Sequence, residues 1–179
     1  MADTGDQNRA VATRDACLPE AFFELSFSPN STLVSTVRRF VSEFYVQILG
    51  DAEVTSRVAV ATHELLDNAV RYSADGQSTV RIGVLREGAA LTIRIDTCNR
   101  ADETNLTAVK AWIDELMSAP DAAKHYQVLM RRSAKRTEGS GLGLGRIRAE
   151  TDMALSYRIA GNIVHMRAEG RLEAAGVPS

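Results

Sequence analysis

Gly139-Ser140-Gly141-Leu142-Gly143-Leu144-Gly145 places a glycine at every second position, and the fold is read outward from this run. Removing Cβ from alternate positions lets a backbone adopt left-handed or close-approach conformations, so its amides can face a ligand. The residues from Leu142 to Thr151 (LGLGRIRAET) have a helical character, so the run feeds into a helix N-terminus. Unpaired N–H groups and the helix dipole favour an anion there, and a phosphate fits that description. Neither common nucleotide loop is present. A P-loop needs Gly-Lys-Ser/Thr after four residues, whereas Gly145 is followed by Arg146-Ile147, and a dinucleotide loop belongs near the first strand, not close to the C-terminus.

Upstream, Asp51 to Ser73 reads as a helix with Val58, Ala61, Leu65, Ala69 and Tyr72 on one apolar stripe. Glu64, Asn68 and Arg71 follow at steps of four and three on the neighbouring stripe, so a carboxylate, an amide and a guanidinium line the border between core and solvent. An earlier strand, Ala21 to Phe27, is closed by Ser28-Pro29 because proline cannot continue a ladder. Asn30 or Ser31 then caps a helix whose Leu33, Val37, Phe40, Val41, Phe44 and Ile48 share a face, and Gly50-Asp51 ends it and starts the next. Asp75-Gly76 supplies a turn into two alternating strands, about Thr79 to Leu85 and Ala90 to Ile95, joined by Glu87-Gly88. Helices over about Glu103 to Met117 and Asp121 to Arg132 precede the glycine run, with Trp112, Ile113 and Leu116 as packing residues. Strands near Ala154 to Ala160 and Ile163 to Ala168, turned by Gly161-Asn162, complete the chain. This order predicts an α+β, two-layer sandwich: a mixed, mostly antiparallel sheet with helices on one face.

Composition bounds the rest. A chain of 179 residues predicts one domain, expected over 20–170 between tails at 1–19 and 171–179, large enough to bury roughly 70% of its unfolded surface. A net charge of -2 and a pI near 5.9 give no global case for nucleic acid or an anionic membrane. Cys17 and Cys98 match no paired metal-ligand spacing and no disulfide framework, and the polar start MADTGDQNRAVATRD is no secretory signal, so a cytoplasmic location is expected. Met130-Arg131-Arg132-Ser133-Ala134-Lys135-Arg136 is basic, but no aromatic residues interleave for stacking on bases.

His63 to Ser73 (HELLDNAVRYS) resembles the N-box of the GHKL superfamily of ATPases, and Gly139 to Leu144 (GSGLGL) resembles its second glycine box. With a hairpin between them, the two boxes in order extend the resemblance over roughly Glu20 to Glu169. The resemblance implies the Bergerat fold and ATP with Mg²⁺ as cofactors. Asn68 would be the metal ligand, Glu64 the catalytic proton acceptor and Arg71 a phosphate contact, with the backbone at Gly139, Gly141, Leu142 and Gly143 holding the remaining phosphate oxygens. The layout is similar to that of anti-sigma-factor serine/threonine kinases, which implies transfer of the ATP γ-phosphate to a serine or threonine of a partner. That partner would be a sigma factor or an antagonist-like signalling protein, and a homodimer would be compatible.

The departure lies in the first glycine box, where the family has Asp-x-Gly-x-Gly and this chain has Asp96-Thr97-Cys98-Asn99-Arg100. Either Asp96 is the adenine-binding aspartate and both glycines are replaced, or strand parity puts Thr97 in its place and the aspartate is missing. A missing acceptor leaves a polar edge of the base unpaired, at about 1 to 3 kcal/mol. The alternative reading is therefore a non-catalytic module of the same fold that binds proteins without ATP. A stand-alone ATPase ranks third.

Overall fold

The computed structural model describes residues 21–27, 31–87, 90–133 and 142–173. The expected N-terminal tail, Gly139 and Gly141 lie outside them. In chain order the elements are β1 (Ala21–Phe27), α1 (Ser31–Leu49), α2 (Ala52–Arg71), β2 (Ser78–Glu87), β3 (Ala90–Arg100), α3 (Glu103–Ser118), α4 (Ala122–Ser133), α5 (Leu142–Glu150), β4 (Ala154–Ala160) and β5 (Ile163–Glu173). The strands form one open sheet in the order β1-β2-β3-β5-β4. Every described pairing is antiparallel, in keeping with the mostly antiparallel sheet that was expected. The hairpins β2–β3 and β4–β5 set two of those pairings, and β5 returns beside β3, leaving β4 at the edge. Glu173 pairs with Ala90, so residues 171–173, expected in the tail, extend the last strand. No described helix is long and apolar enough to cross a membrane.

Local chemistry sets the element ends. Gly50 ends α1 at φ +66, a left-handed conformation that costs glycine little. Asp51 is extended and its Oδ1 accepts from the amide of Val54 at 2.9 Å, which caps α2. Asp121 starts α4 in the same way, accepting from the amide of Lys124 at 2.9 Å.

Strand alternation separates the two faces of the sheet. Val80, Ile82 and Val84 of β2, Leu91, Ile93 and Ile95 of β3, and Val164, Met166 and Ala168 of β5 are buried under the helices. Val58, Ala61, Leu65, Leu66 and Ala69 of α2 cover them, each larger side chain contributing about 1.5 to 3 kcal/mol of burial.

Two positions depart from the expected stripes. Tyr72 caps the end of α2 and is 41% exposed. Phe40 is also exposed, while the deep face of α1 is Val37, Val41 and Tyr45, a strict step of four that leaves Phe40 at the margin against Phe23, ring centroids 5.0 Å apart. Tyr45 is fully buried, and burial raises its phenol far above the usual value, so it stays protonated. Thr62 spends its hydroxyl proton on the carbonyl of Val58 at 2.9 Å, so the Tyr45 hydroxyl is the donor in their 3.1 Å bond. Replacing Tyr45 by Phe is expected to cost about 1 kcal/mol and to lower the melting temperature by roughly 2 to 4 °C. A thermal melt unchanged by Tyr45→Phe would show that this bond adds nothing to stability.

Candidate functional site

The site is built where α5 meets α2. Glu64 and Asn68 flank the buried stripe of α2 and face the first turn of α5. A Cβ on Gly143 would lie 2.6 Å from Glu64 Oε2 and 3.4 Å from Asn68 Nδ2, so any other residue there would displace the carboxylate. Two residues on, and so on the opposite side of α5, a Cβ on Gly145 would meet Leu129 Cδ1 at 2.8 Å and the Tyr126 ring at 3.4 Å. The helix therefore sits in a slot between α2 and α4. The first turn of any helix leaves N–H groups without intrahelical partners, and this one is held against a carboxylate and an amide. Asn68 Nδ2 is buried without a hydrogen-bond partner among the described residues. A donor in that state costs about 1 to 3 kcal/mol, a penalty that an oxygen-rich ligand would remove.

The charges are linked across the two helices. Arg146 approaches Glu64 Oε1 through Nη1 at 3.3 Å and donates from Nε to Glu150 Oε2 at 2.8 Å. The bond to Glu150 comes first among the causes that raise the Arg146 guanidinium above its usual value, with Glu64 adding to it. Tyr126 of α4 borders the same group. Burial first, then the negative charge of Glu150 and, to a lesser degree, that of Glu64 raise its phenol. Arg148, on another side of α5, donates to the carbonyls of Leu116 and Ala119 and so ties the end of α3 to this helix.

Not every residue expected at the site is joined to it by a contact. Glu64, Asn68 and Gly143 come together, and Leu142 packs partly buried against the core. Arg71, half exposed, pairs with Asp67 at 3.7 Å one turn back along α2. Thr97 is buried on the helix-covered side of the sheet with Ile95 and Asn99, whereas Asp96 faces the open side and accepts from Arg167 Nε at 2.6 Å. The end of β3 is fastened to the turn after α2. Asn99 Nδ2 donates to the carbonyl of Tyr72 at 3.1 Å, Arg100 pairs with Asp75 at 3.3 Å, and the Arg100 carbonyl accepts from the amide of Ala74 at 2.7 Å. Arg146, Glu150 and Tyr126 were missed by sequence reasoning. The available signal was the helical step from Gly143 to Arg146 and on to Glu150, which places both side chains near the glycine that faces α2.

The family model of the histidine kinase-like ATPase domain matches residues 27–168. The chain belongs to that family. Among solved structures, its fold is similar to a chain in the crystal structure of the SiaB-SiaC complex from Pseudomonas aeruginosa, with a TM-score of 0.59 over 84% of this chain and 89% of that one. At 11% identity the fold is what the two share. No curated protein matches the chain.

The close approach at Gly143 gives a direct test. Glycine to alanine within a helix gains up to about 1 kcal/mol of propensity, but the methyl at Gly143 must push Glu64 aside. Gly143→Ala is expected to leave the melting temperature at or below that of the wild type, and to raise it once Glu64 is also changed to Ala. Equal effects of Gly143→Ala in both backgrounds would show that Glu64 is not what excludes a side chain.

Proposed function

We propose that this protein binds Mg-ATP between α2 and the first turn of α5 and transfers the γ-phosphoryl group to a serine or threonine of a partner protein. One observation carries the reading: Glu64 and the Asn68 Nδ2, which has no partner among the described residues, lie against a helix N-terminus that only glycine lets come so close. When bound, Mg-ATP supplies the phosphoryl group and part of the charge neutralisation its transfer needs. Asn68 would hold Mg²⁺ through its carbonyl oxygen, in keeping with the preference of that ion for oxygen ligands. The amides of the first turn of α5 would hold phosphate oxygens, and Arg71, now in an exposed pair with Asp67, would add a cation. Glu64 would accept the proton of the attacking hydroxyl as the new O–P bond forms and the bond to ADP breaks.

In this reading the partner is a small signalling protein of the antagonist kind or a sigma factor, and both proteins are cytoplasmic. The structural neighbour was itself crystallised in a SiaB-SiaC complex. A second reading is favoured by the end of β3, where Asp96-Thr97-Cys98-Asn99-Arg100 stands in place of the family's glycine box and Asn99 and Arg100 tie the strand to the turn after α2. There the fold would serve as a binding module without nucleotide.

Thermal melting separates the two readings. Mg-ATP at 100 times its dissociation constant is expected to stabilise the protein by about 2.7 kcal/mol, whereas no shift at millimolar Mg-ATP favours the module. Asn68→Ala should weaken Mg-ATP in the melt. Glu64→Gln should leave that shift intact and slow phosphoryl transfer by about 10² to 10⁴. Equal transfer rates in both variants and the wild type would remove these residues from the chemistry.

The base is a separate question. Asp96 faces the open side of the sheet and pairs with Arg167, so the helix-covered side of β3 offers Thr97 and Asn99 instead of a carboxylate. ATP and GTP are therefore expected to bind with similar, modest strength in paired titrations with Mg²⁺, since strong rejection of an analogue requires a site built to bond the group it lacks. A strong preference for ATP would return the base contact to an acidic residue.

A further inference from the structure

We infer that Arg146 and Glu150 position Glu64, so that the proposed proton acceptor is held by a carboxylate–guanidinium–carboxylate chain. The inference rests on the phosphoryl-transfer reading above and extends it to residues outside both sequence boxes. The two oxygens of Glu64 have different surroundings. Oε1 is held by Arg146 Nη1 at 3.3 Å, while Oε2 is the oxygen that a Cβ on Gly143 would meet at 2.6 Å. One oxygen is thus tethered, and the other faces the turn where phosphate would lie.

A glutamate has several rotatable bonds, and a base works only within hydrogen-bond reach of the proton it takes, about 2.6 to 3.2 Å. Arg146 removes much of that freedom because its own planar fork is fixed from the far side by Glu150, at 2.8 Å from Nε. The Glu64 side chain is 17% exposed and that of Arg146 is 40% exposed, so this pair is better shielded than Arg71–Asp67, whose side chains are 49% and 43% exposed. The Tyr126 ring of α4 lies 3.4 Å from where a Cβ on Gly145 would be, and the charges of both carboxylates help to raise its phenol. This is the arrangement of a base oriented by a third group, with an arginine as the orienting residue. A lysine at the same position could pair with Glu64, but as a point charge it would not keep the two-sided geometry.

The experiment uses the full chain with Mg-ATP and reads inorganic phosphate release, with water as the acceptor. Water oxygen bonds to the γ-phosphorus, its proton passes to Glu64, and ADP leaves. Arg146→Ala is expected to lower kcat on the order of 10- to 100-fold while KM and the Mg-ATP shift in melting stay within about threefold. Arg146→Lys should recover part of the loss, and Glu150→Gln should show a smaller loss of the same kind. In a Glu64→Gln background, Arg146→Ala should cause no further loss of rate. In nucleotide-free melts, the decreases caused by Glu64→Gln and Arg146→Ala should be less than additive, as for two partners of one interaction.

Should Arg146→Ala fail to fold, Arg146→Lys and Glu150→Gln carry the same comparison. A wild-type kcat in Arg146→Ala, an equal loss in the Glu64→Gln background, or a raised KM at unchanged kcat would overturn the inference and leave the transfer reading standing. The last of these would make Arg146 a phosphate contact. A wild type that neither shifts in melting with Mg-ATP nor releases phosphate overturns both.

Discussion

The close approach of α5 to α2 at Gly143 is the constraint on which the site depends. Two helices normally pack with 8 to 10 Å between their axes because side chains intervene. Here the carboxylate of Glu64 occupies the space a Cβ would fill, so a polar side chain on one helix meets bare backbone on the other. The same helix needs a second glycine on its other side, where Leu129 and Tyr126 of α4 come within Cβ distance of Gly145. Glycines two apart in a helix lie on nearly opposite faces, so their alternation fits α5 between two neighbours at once. In the part of the run that is helical, the glycine pattern thus has a packing cause as well as the chemical one of exposing amides.

The sheet sorts its residues by parity, and this decides which of them can take part. Positions 91, 93, 95, 97 and 99 of β3 are buried under the helices, and 92, 94, 96 and 98 face the open side. The open side carries cross-strand ion pairs: Glu24 with Arg81, Asp96 with Arg167, and Arg94 with Glu169. Exposed pairs of this kind are each worth about 0 to 1 kcal/mol and keep an uncovered face soluble. Asp96 belongs to that ladder. To turn it toward α2, β3 would have to slip by one residue, which would also bring Ile93 and Ile95 out of the core.

Most of the architecture was legible because its signals were periodic. The stripe Val58, Ala61, Leu65 and Ala69, the alternation in β2 and β3, and the cap at Asp51 all reported their own local structure. The misses at Tyr72 and Phe40 are at margins, where helical periodicity admits a residue to a stripe but the width of the sheet beneath determines whether anything covers it. Tyr45 lay outside the stripe read from the sequence, and the tertiary bond to Thr62 is what makes the burial of its hydroxyl tolerable. At the site, Glu64, Asn68 and the glycines stood out by spacing along the chain. Arg146 did not, because its partner Glu64 is 82 residues away and only the packing of α5 on α2 joins them.

The arginines of α5 also account for how a segment between two sequence boxes stays tied to the site. Arg146 reaches back to α2, and Arg148, turned to another side, donates to the carbonyls of Leu116 and Ala119 at the end of α3. The Leu116 carbonyl is among the last of α3, which lack intrahelical partners and attract cations, and Ala119 follows directly after the helix. Tyr126 and Leu129 of α4 press on Gly145 between the two. A displacement of α5 along its axis would therefore disturb the Glu64 pair, the α3 terminus and the α4 contact together.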